Sequence, residues 1–258
     1  MQLGVGVPDG AEAVGHAVKG VLAKDPEAAL LTVDQANAFN RVSRSAVFEA
    51  VNEHVPALLP FVQWAYGAAT NLLVVRAPPN TPPIQSKTGV RQGDPLGPLL
   101  FALALQRLLQ RTRDGAPNVA VIAFADDVSL VGRVQDLKVA FKILQGEHGA
   151  GVIGLQVQHR KCALTGGPPL AVSQLAAELD IQHRPSGITV CGTPIGTNNY
   201  VANTLLTHAT SVVQQITELM KLPLATQSQF VLLRSSLSLR MIHLQRSLPW
   251  DQVASSTR

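Results

Sequence analysis

The stretch VAVIAFADDVSLV, residues 119–131, decides how this chain reads. Two apolar runs, 119–124 and 128–131, flank the acidic pair Asp126 and Asp127, which is the pattern of a β-hairpin with a polar tip. Far upstream, Ala28–Val33 is another short apolar run that ends at an acid, Asp34, and reads as a buried strand. Carboxylates held on strand ends suit hard divalent cations, which take oxygen ligands and keep positions open for water and phosphate. Two such ions clamp the attacking and leaving oxygens of an in-line phosphoryl displacement. They also relieve the repulsion that would otherwise raise one carboxylate's pKa. The competing reading of an isolated acidic pair is a solvated turn.

Working outward, residues 11–22 carry apolar side chains at helical spacing, with Asp9 as the expected cap. Ser43 opens a second helix through Phe48 and Val51, and more helix is expected over 58–66. Residues 72–76 read as extended and 77–83 as a proline-rich loop. A loop bent by Gly93, Pro95 and Gly97 leads into a helix over 99–109. A helix follows over 136–144, then short strands over 155–157, 161–164 and 188–191. Beyond Asn203 the pattern turns wholly helical, with one apolar stripe from Leu205 to Met220 and another from Phe230 to Met241.

Composition narrows the class. Of 258 residues, 46% are hydrophobic and 15% charged, against roughly 25% charged in an average soluble domain. A sizeable core is therefore available, and disorder on composition is excluded. A net charge of +4 suits a nucleic-acid partner without requiring one. The two cysteines, Cys162 and Cys191, support neither a zinc site nor a disulfide framework, so an intracellular setting, nuclear or cytoplasmic, is expected. The longest apolar stretch, 99–105, is far shorter than the roughly 18 residues of a membrane span, so no membrane partner is expected. His16 and His54 have no evident partners and read as structural.

Three segments in order complete the pattern: DQANAFN (34–40), GVRQGDPLGPLLF (89–101) and FADD (124–127). Together they resemble the palm motifs of reverse transcriptases, especially those of non-LTR retrotransposons, and the resemblance covers essentially the whole chain. It implies an α+β fold: a right-hand polymerase palm of antiparallel sheet backed by helices, with a helical thumb. The expected divisions are a fingers–palm connecting segment over 1–27, a palm over 28–200 and thumb-like helices over 201–258.

The resemblance also implies roles. Asp34 and Asp126 would be the principal ligands of two magnesium ions, with manganese as a substitute, and Asp127 a supporting carboxylate. Phe39 would be a steric gate whose ring excludes a ribose 2′-OH; its alternative is a plain core aromatic. Gln92, with Gly89 and Arg91, would pack against the incoming nucleotide and template base, where glycine lets backbone approach closely. Lys161 resembles a lysine that protonates or neutralises the leaving pyrophosphate; its alternative is a solvated surface lysine. VCGTPIG (190–196) resembles a primer-grip hairpin, and its alternative is a buried turn.

The implied partners are an RNA template, a DNA primer, deoxynucleoside triphosphates and other domains of the same polyprotein. The chain is expected to be a piece of such a polyprotein with truncated fingers. Lys19, Lys24, Arg41 and Arg44 are too scattered to replace the basic residues of the fingers, and uncovered palm surface should lower solubility. A catalytically inactive retroelement remnant is the rival of a different class. A group II intron-type enzyme and a viral RNA-dependent RNA polymerase are rivals of the same class, and Phe39 and FADD count against the latter.

Overall fold

The structure, a computed structural model, describes residues 2–73, 78, 81–146 and 149–249. In chain order the elements begin with α1 (Gly10–Lys24), β1 (Ala28–Val33), α2 (Ala38–Arg41), α3 (Arg44–His54) and α4 (Leu59–Tyr66). A small hairpin, β2 (Thr70–Leu72) and β3 (Ile84–Ser86), precedes α5 (Gly97–Gly115), β4 (Ala120–Phe124), β5 (Asp127–Arg133) and α6 (Val134–Gln145). Then come β6 (Ala163–Gly166), α7 (Pro169–Glu178), β7 (Gln182–His183), β8 (Gly187–Val190) and β9 (Thr193–Gly196). Three helices follow: α8 (Asn198–Lys221), α9 (Thr226–Ser235) and α10 (Ile242–Ser247).

The central sheet has the order β4-β5-β1-β6-β7, antiparallel except for the β6–β7 pair. Its strands are buried on both faces, which is why they read as continuous apolar runs. Side chains alternate across the sheet. Leu31, Val33, Val121, Ala123, Val128, Leu130 and Leu164 join a large core that includes Phe101, Phe141 and Leu105. Leu30, Ile122 and Val131 point the other way, onto Val14 and Val18 of α1 and onto Val190 and Ile195 of the β8–β9 hairpin. Partners in the ladder agree on their faces: Leu30 lies opposite Val131, and Leu31 opposite Leu130.

Several expectations change. Asp9 does not cap α1; it sits at φ 53° with no capping bond, and its carboxylate instead accepts from Arg246 at 2.8 Å. Residues 155–157 form no strand, only a single bridge from Val157 to Gln35. The strand expected over 161–164 begins later, because 159–161 make a 3₁₀ turn. α5 continues well past residue 109 because its last turns alternate polar and buried positions, Leu108, Leu109 and Thr112 among the buried. The extended segment expected over 72–76 overlaps β2 only at Leu72; residues 74–76 lie outside the described ones, as do 77, 79 and 80 of the proline-rich loop.

The chain after β9 returns to its own start. Arg246 pairs with Asp9 and, at 3.2 Å, with Glu12, while Lys19 donates to the Ser247 carbonyl at 3.1 Å. Exposed apolar side chains gather on α8 and α9, at Leu206, Val213, Met220, Phe230 and Val231, and around Phe61, Trp64 and Leu73. Among the described residues no helix is long and apolar enough to cross a membrane.

Phe141, wholly buried between the sheet and α5, carries much of the larger core. Its replacement by alanine should cost about 3–5 kcal/mol, whereas Trp64→Ala, at a side chain 80% exposed, should stay within about 0.5 kcal/mol. Urea denaturation of the two variants measures the contrast directly.

Candidate active site

The β1–β5 ladder places Val33 opposite Val128. One further step of the same register brings Asp34, just past the end of β1, opposite Asp127, the first residue of β5. Because Val33 and Val128 face the larger core, Asp34 and Asp127 fall on the other face, toward the β8–β9 hairpin. There they line a cavity of about 420 Å³ with Thr32, Ser129, Lys161 and residues 187–191.

Within this pocket, Asp34 Oδ1 is buried and has no hydrogen-bond partner. The Lys161 ammonium stands 4.0 Å from it, close enough to attract and too far to donate. Desolvation raises the Asp127 pKa, and the charges of Asp126 and then Asp34 raise it further. Since the Asp127 side chain remains solvent-exposed, partial burial at the pocket wall is a modest effect, and the like charges are what a cation would relieve.

Asp126 occupies a different place. Phe124 pairs with Asp127, so the hairpin closes over a two-residue turn, Ala125-Asp126. Ala125 sits at φ 52°, a left-handed conformation that costs a residue with a Cβ about 1 kcal/mol. Gln2, which the sequence reading passed over, holds it there. Its side-chain amide accepts from the Ala125 N–H at 2.9 Å and donates to the Ala125 carbonyl at 3.0 Å. Asp126 is thus presented at the tip, half-buried, with its charge felt by Asp127.

The loop after β3 docks on the turn after Asp34. Gly89 N–H donates to the Val42 carbonyl at 2.9 Å, and Val90 N–H donates to the Phe39 carbonyl at 2.8 Å. Gly89 has φ 70°, and a Cβ there would fall 2.4 Å from backbone atoms of Phe39 and Asn40. No other residue fits. Phe39 is half-buried and stacks on Phe101 with ring centroids 4.5 Å apart. Gln92 is exposed on the same loop and does not line the pocket. The Arg91 guanidinium turns inward, donating to the Ala65 carbonyl at 2.6 Å and to Thr70 Oγ1 at 2.8 Å.

The sequence model of the family described as reverse transcriptase (RNA-dependent DNA polymerase) matches residues 5–193. The chain belongs to the reverse transcriptase family. It is 30% identical over 139 residues to a Retrovirus-related Pol polyprotein from type-1 retrotransposable element R2 of Nasonia vitripennis, covering 50% of the chain and 13% of that protein. It is 32% identical over 113 residues to the R2 polyprotein of Popillia japonica, covering 40% of the chain and 18% of that protein. The chain thus spans less than a fifth of the length of these relatives. Among solved structures, telomerase from Candida albicans in complex with the TWJ fragment of telomeric RNA aligns over 96% of this chain and 43% of its own, with a TM-score of 0.54 at 12% identity. Apo telomerase from Candida tropicalis gives the same TM-score at 10% identity, over 96% of this chain and 48% of its own. That likeness is one of fold.

Reverse transcriptases use divalent metal ions, and this chain's pocket fits such a group. The donors are all hard oxygens, one of them orphaned, and their charges add to burial in raising the Asp127 pKa. Among the described residues, no three acidic, histidine or cysteine side chains stand close enough together to hold a metal ion by themselves. Cys191 also lines the pocket, but burial and then the Asp127 charge push its thiol up to about 11, so it stays protonated. Cys191 and Gly192, with φ of 46° and 82°, form the two-residue turn that joins β8 to β9.

The sign of the Asp127 shift sets a prediction. A raised folded-state pKa means that the charged carboxylate costs stability above that pKa, and that the cost vanishes below the ordinary carboxylate range. In chelator at neutral pH, Asp127→Asn should therefore stabilise the protein, by at most about 0.5 kcal/mol given its exposure. At about pH 3 the advantage should be gone. Thermal melts across pH check this, and destabilisation by Asp127→Asn at neutral pH would contradict it.

Proposed function

We propose that this chain is the catalytic core of an RNA-directed DNA polymerase from a retrotransposon polyprotein, with Asp34, Asp126 and Asp127 as its magnesium ligands. The observation that carries the proposal is the meeting of Asp34, Asp127 and Lys161 in one pocket, with an unpaired Asp34 oxygen facing the Lys161 ammonium. Magnesium or manganese bound there would supply Lewis acidity toward a 3′-hydroxyl and neutralise triphosphate charge.

The chain's own groups supply the rest. Lys161, exposed on its 3₁₀ turn, has the reach to place a charge and a proton at the leaving pyrophosphate. The β8–β9 hairpin forms the opposite wall, so a primer end lying along residues 187–191 would present its hydroxyl toward Asp34 and Asp127. Phe39, braced by Phe101, offers a flat ring edge against which a ribose 2′-OH would clash. Gln92 is free to meet nucleotide or template, while Arg91 acts by holding the loop in place. Continuous with the pocket through Thr189 and Tyr200, a second, wider groove runs between α8 and α10, lined by Ser, Thr, Asn and His side chains and by Arg240. Such a surface suits the sugar–phosphate backbone of a product duplex, which supports reading the residues beyond about 200 as a thumb.

Primer extension tests the proposal. On an RNA template with magnesium and deoxynucleotides, the wild-type chain should extend a DNA primer. Asp126→Ala/Asp127→Ala should reduce extension by about a thousandfold or more while remaining folded. A folded wild type that extends nothing, or a double variant that extends as well as the wild type, would overturn it.

A further inference from the structure

Arg44 opens α3, where the positive end of the helix disfavours a cation. Among the described residues no carboxylate pairs with it. Its five hydrogen bonds instead join two stretches about twenty residues apart, 66–68 and 86–89. Nε donates to the Gly89 carbonyl at 3.2 Å, Nη1 to the carbonyls of Tyr66 and Ala68, both at 3.1 Å, and Nη2 to the carbonyl and hydroxyl of Ser86, both at 3.0 Å. The guanidinium therefore ties the end of α4, the end of β3 and the start of the 89–94 loop to one point.

The Tyr66 ring lies under two cations, 5.3 Å from the Arg44 guanidinium carbon and 4.7 Å from that of Arg91. Its hydroxyl donates to Asp94 and accepts from the Arg91 N–H at 3.2 Å. Burial and the Asp94 bond both raise the Tyr66 pKa, so the donor proton stays in place. Burial and the neighbouring charge of Arg91 lower the Arg44 pKa, a sign that its charge is held against local electrostatics. Such a conflict with local preference is expected where positioning outweighs stability.

The loop that Arg44 grips by its Gly89 carbonyl is the one whose next amide, Val90 N–H, bonds the Phe39 carbonyl. Thr88 Oγ1 likewise donates to the Asn40 carbonyl at 2.9 Å. We infer that Arg44 is a specificity-determining positioning residue, which locks the 88–90 segment onto the Phe39 turn and so fixes how closely the Phe39 ring approaches the sugar of the incoming nucleotide. The inference rests on the polymerase reading for its substrate, and on the hydrogen bonds alone for its geometry. Lysine cannot replace the arginine here, since one ammonium with three donors cannot serve five acceptors on both stretches.

Two readouts on the full chain, in wild type, Arg44→Ala and Arg44→Lys, test it. Hydrogen exchange should quicken about tenfold at the Gly89 and Val90 amides in both variants, with the β1 amides unchanged. The preference for deoxynucleotides over ribonucleotides in primer extension should fall about fivefold or more, toward the level of Phe39→Ala. Unchanged exchange at residues 89–90 in Arg44→Lys, which keeps the stem and the charge, overturns the positioning role. Quickened exchange with unchanged sugar preference overturns the specificity role. A wild type that extends nothing removes the polymerase reading and the sugar claim with it, and the exchange data still decide whether Arg44 locks the loop.

Discussion

The antiparallel register of β1 against β5 is the constraint on which the site depends. Pairing Val33 with Val128 obliges Asp34 and Asp127 to meet one step later, on the sheet face that looks toward β8 and β9. A slip of one residue would send the carboxylates into the larger core and the valines into the pocket. The slip is prevented by burial on both faces, because Leu30 and Val131 fill one core while Leu31 and Leu130 fill the other. Hydrophobic packing thus holds like charges together that would otherwise separate. Burial first, and then the charges of Asp126 and Asp34, raise the pKa of Asp127.

Around that fixed pair, irregular backbone is held by specific polar contacts. Ala125 stays left-handed under the grip of the Gln2 amide, Gly89 lies where a Cβ cannot go, and Arg44 joins two stretches of chain under it. Left-handed backbone at Asn37, Ala125 and Cys191 lies close to the acidic residues in sequence or across the pocket from them, while the sheet behind is regular and apolar.

The sheet and its carboxylates were legible because strands buried on both faces leave continuous apolar runs, and the acids at 34, 126 and 127 interrupt those runs at their ends. The hairpin at 187–196 was legible only through the resemblance of VCGTPIG at 190–196, since the strand read over 188–191 ran into what is its turn. Other features were not. α7 has only Val172, Leu175 and Ala176 buried, too short a stripe to stand out. The division of labour between Asp126 and Asp127 depends on a turn of two residues, and that number follows from pairing rather than from residue type. Gln2 and Arg44 escaped for a different reason. Their partners lie 123 and 45 residues away, and a glutamine or arginine gives no sign of which carbonyl it will find. Arg91 has the residue type of a phosphate binder, yet its guanidinium is occupied by the protein's own oxygens.

Strand register brings Asp34 beside the Asp126-Asp127 turn, and the proposal is that divalent cations sit there. Anomalous diffraction from crystals of the chain soaked in manganese tests it most directly. A manganese peak should appear in the pocket between Asp34 and Asp127 and be lost in the Asp34→Asn variant. Manganese bound elsewhere with that pocket empty, or a peak that survives Asp34→Asn, would contradict it.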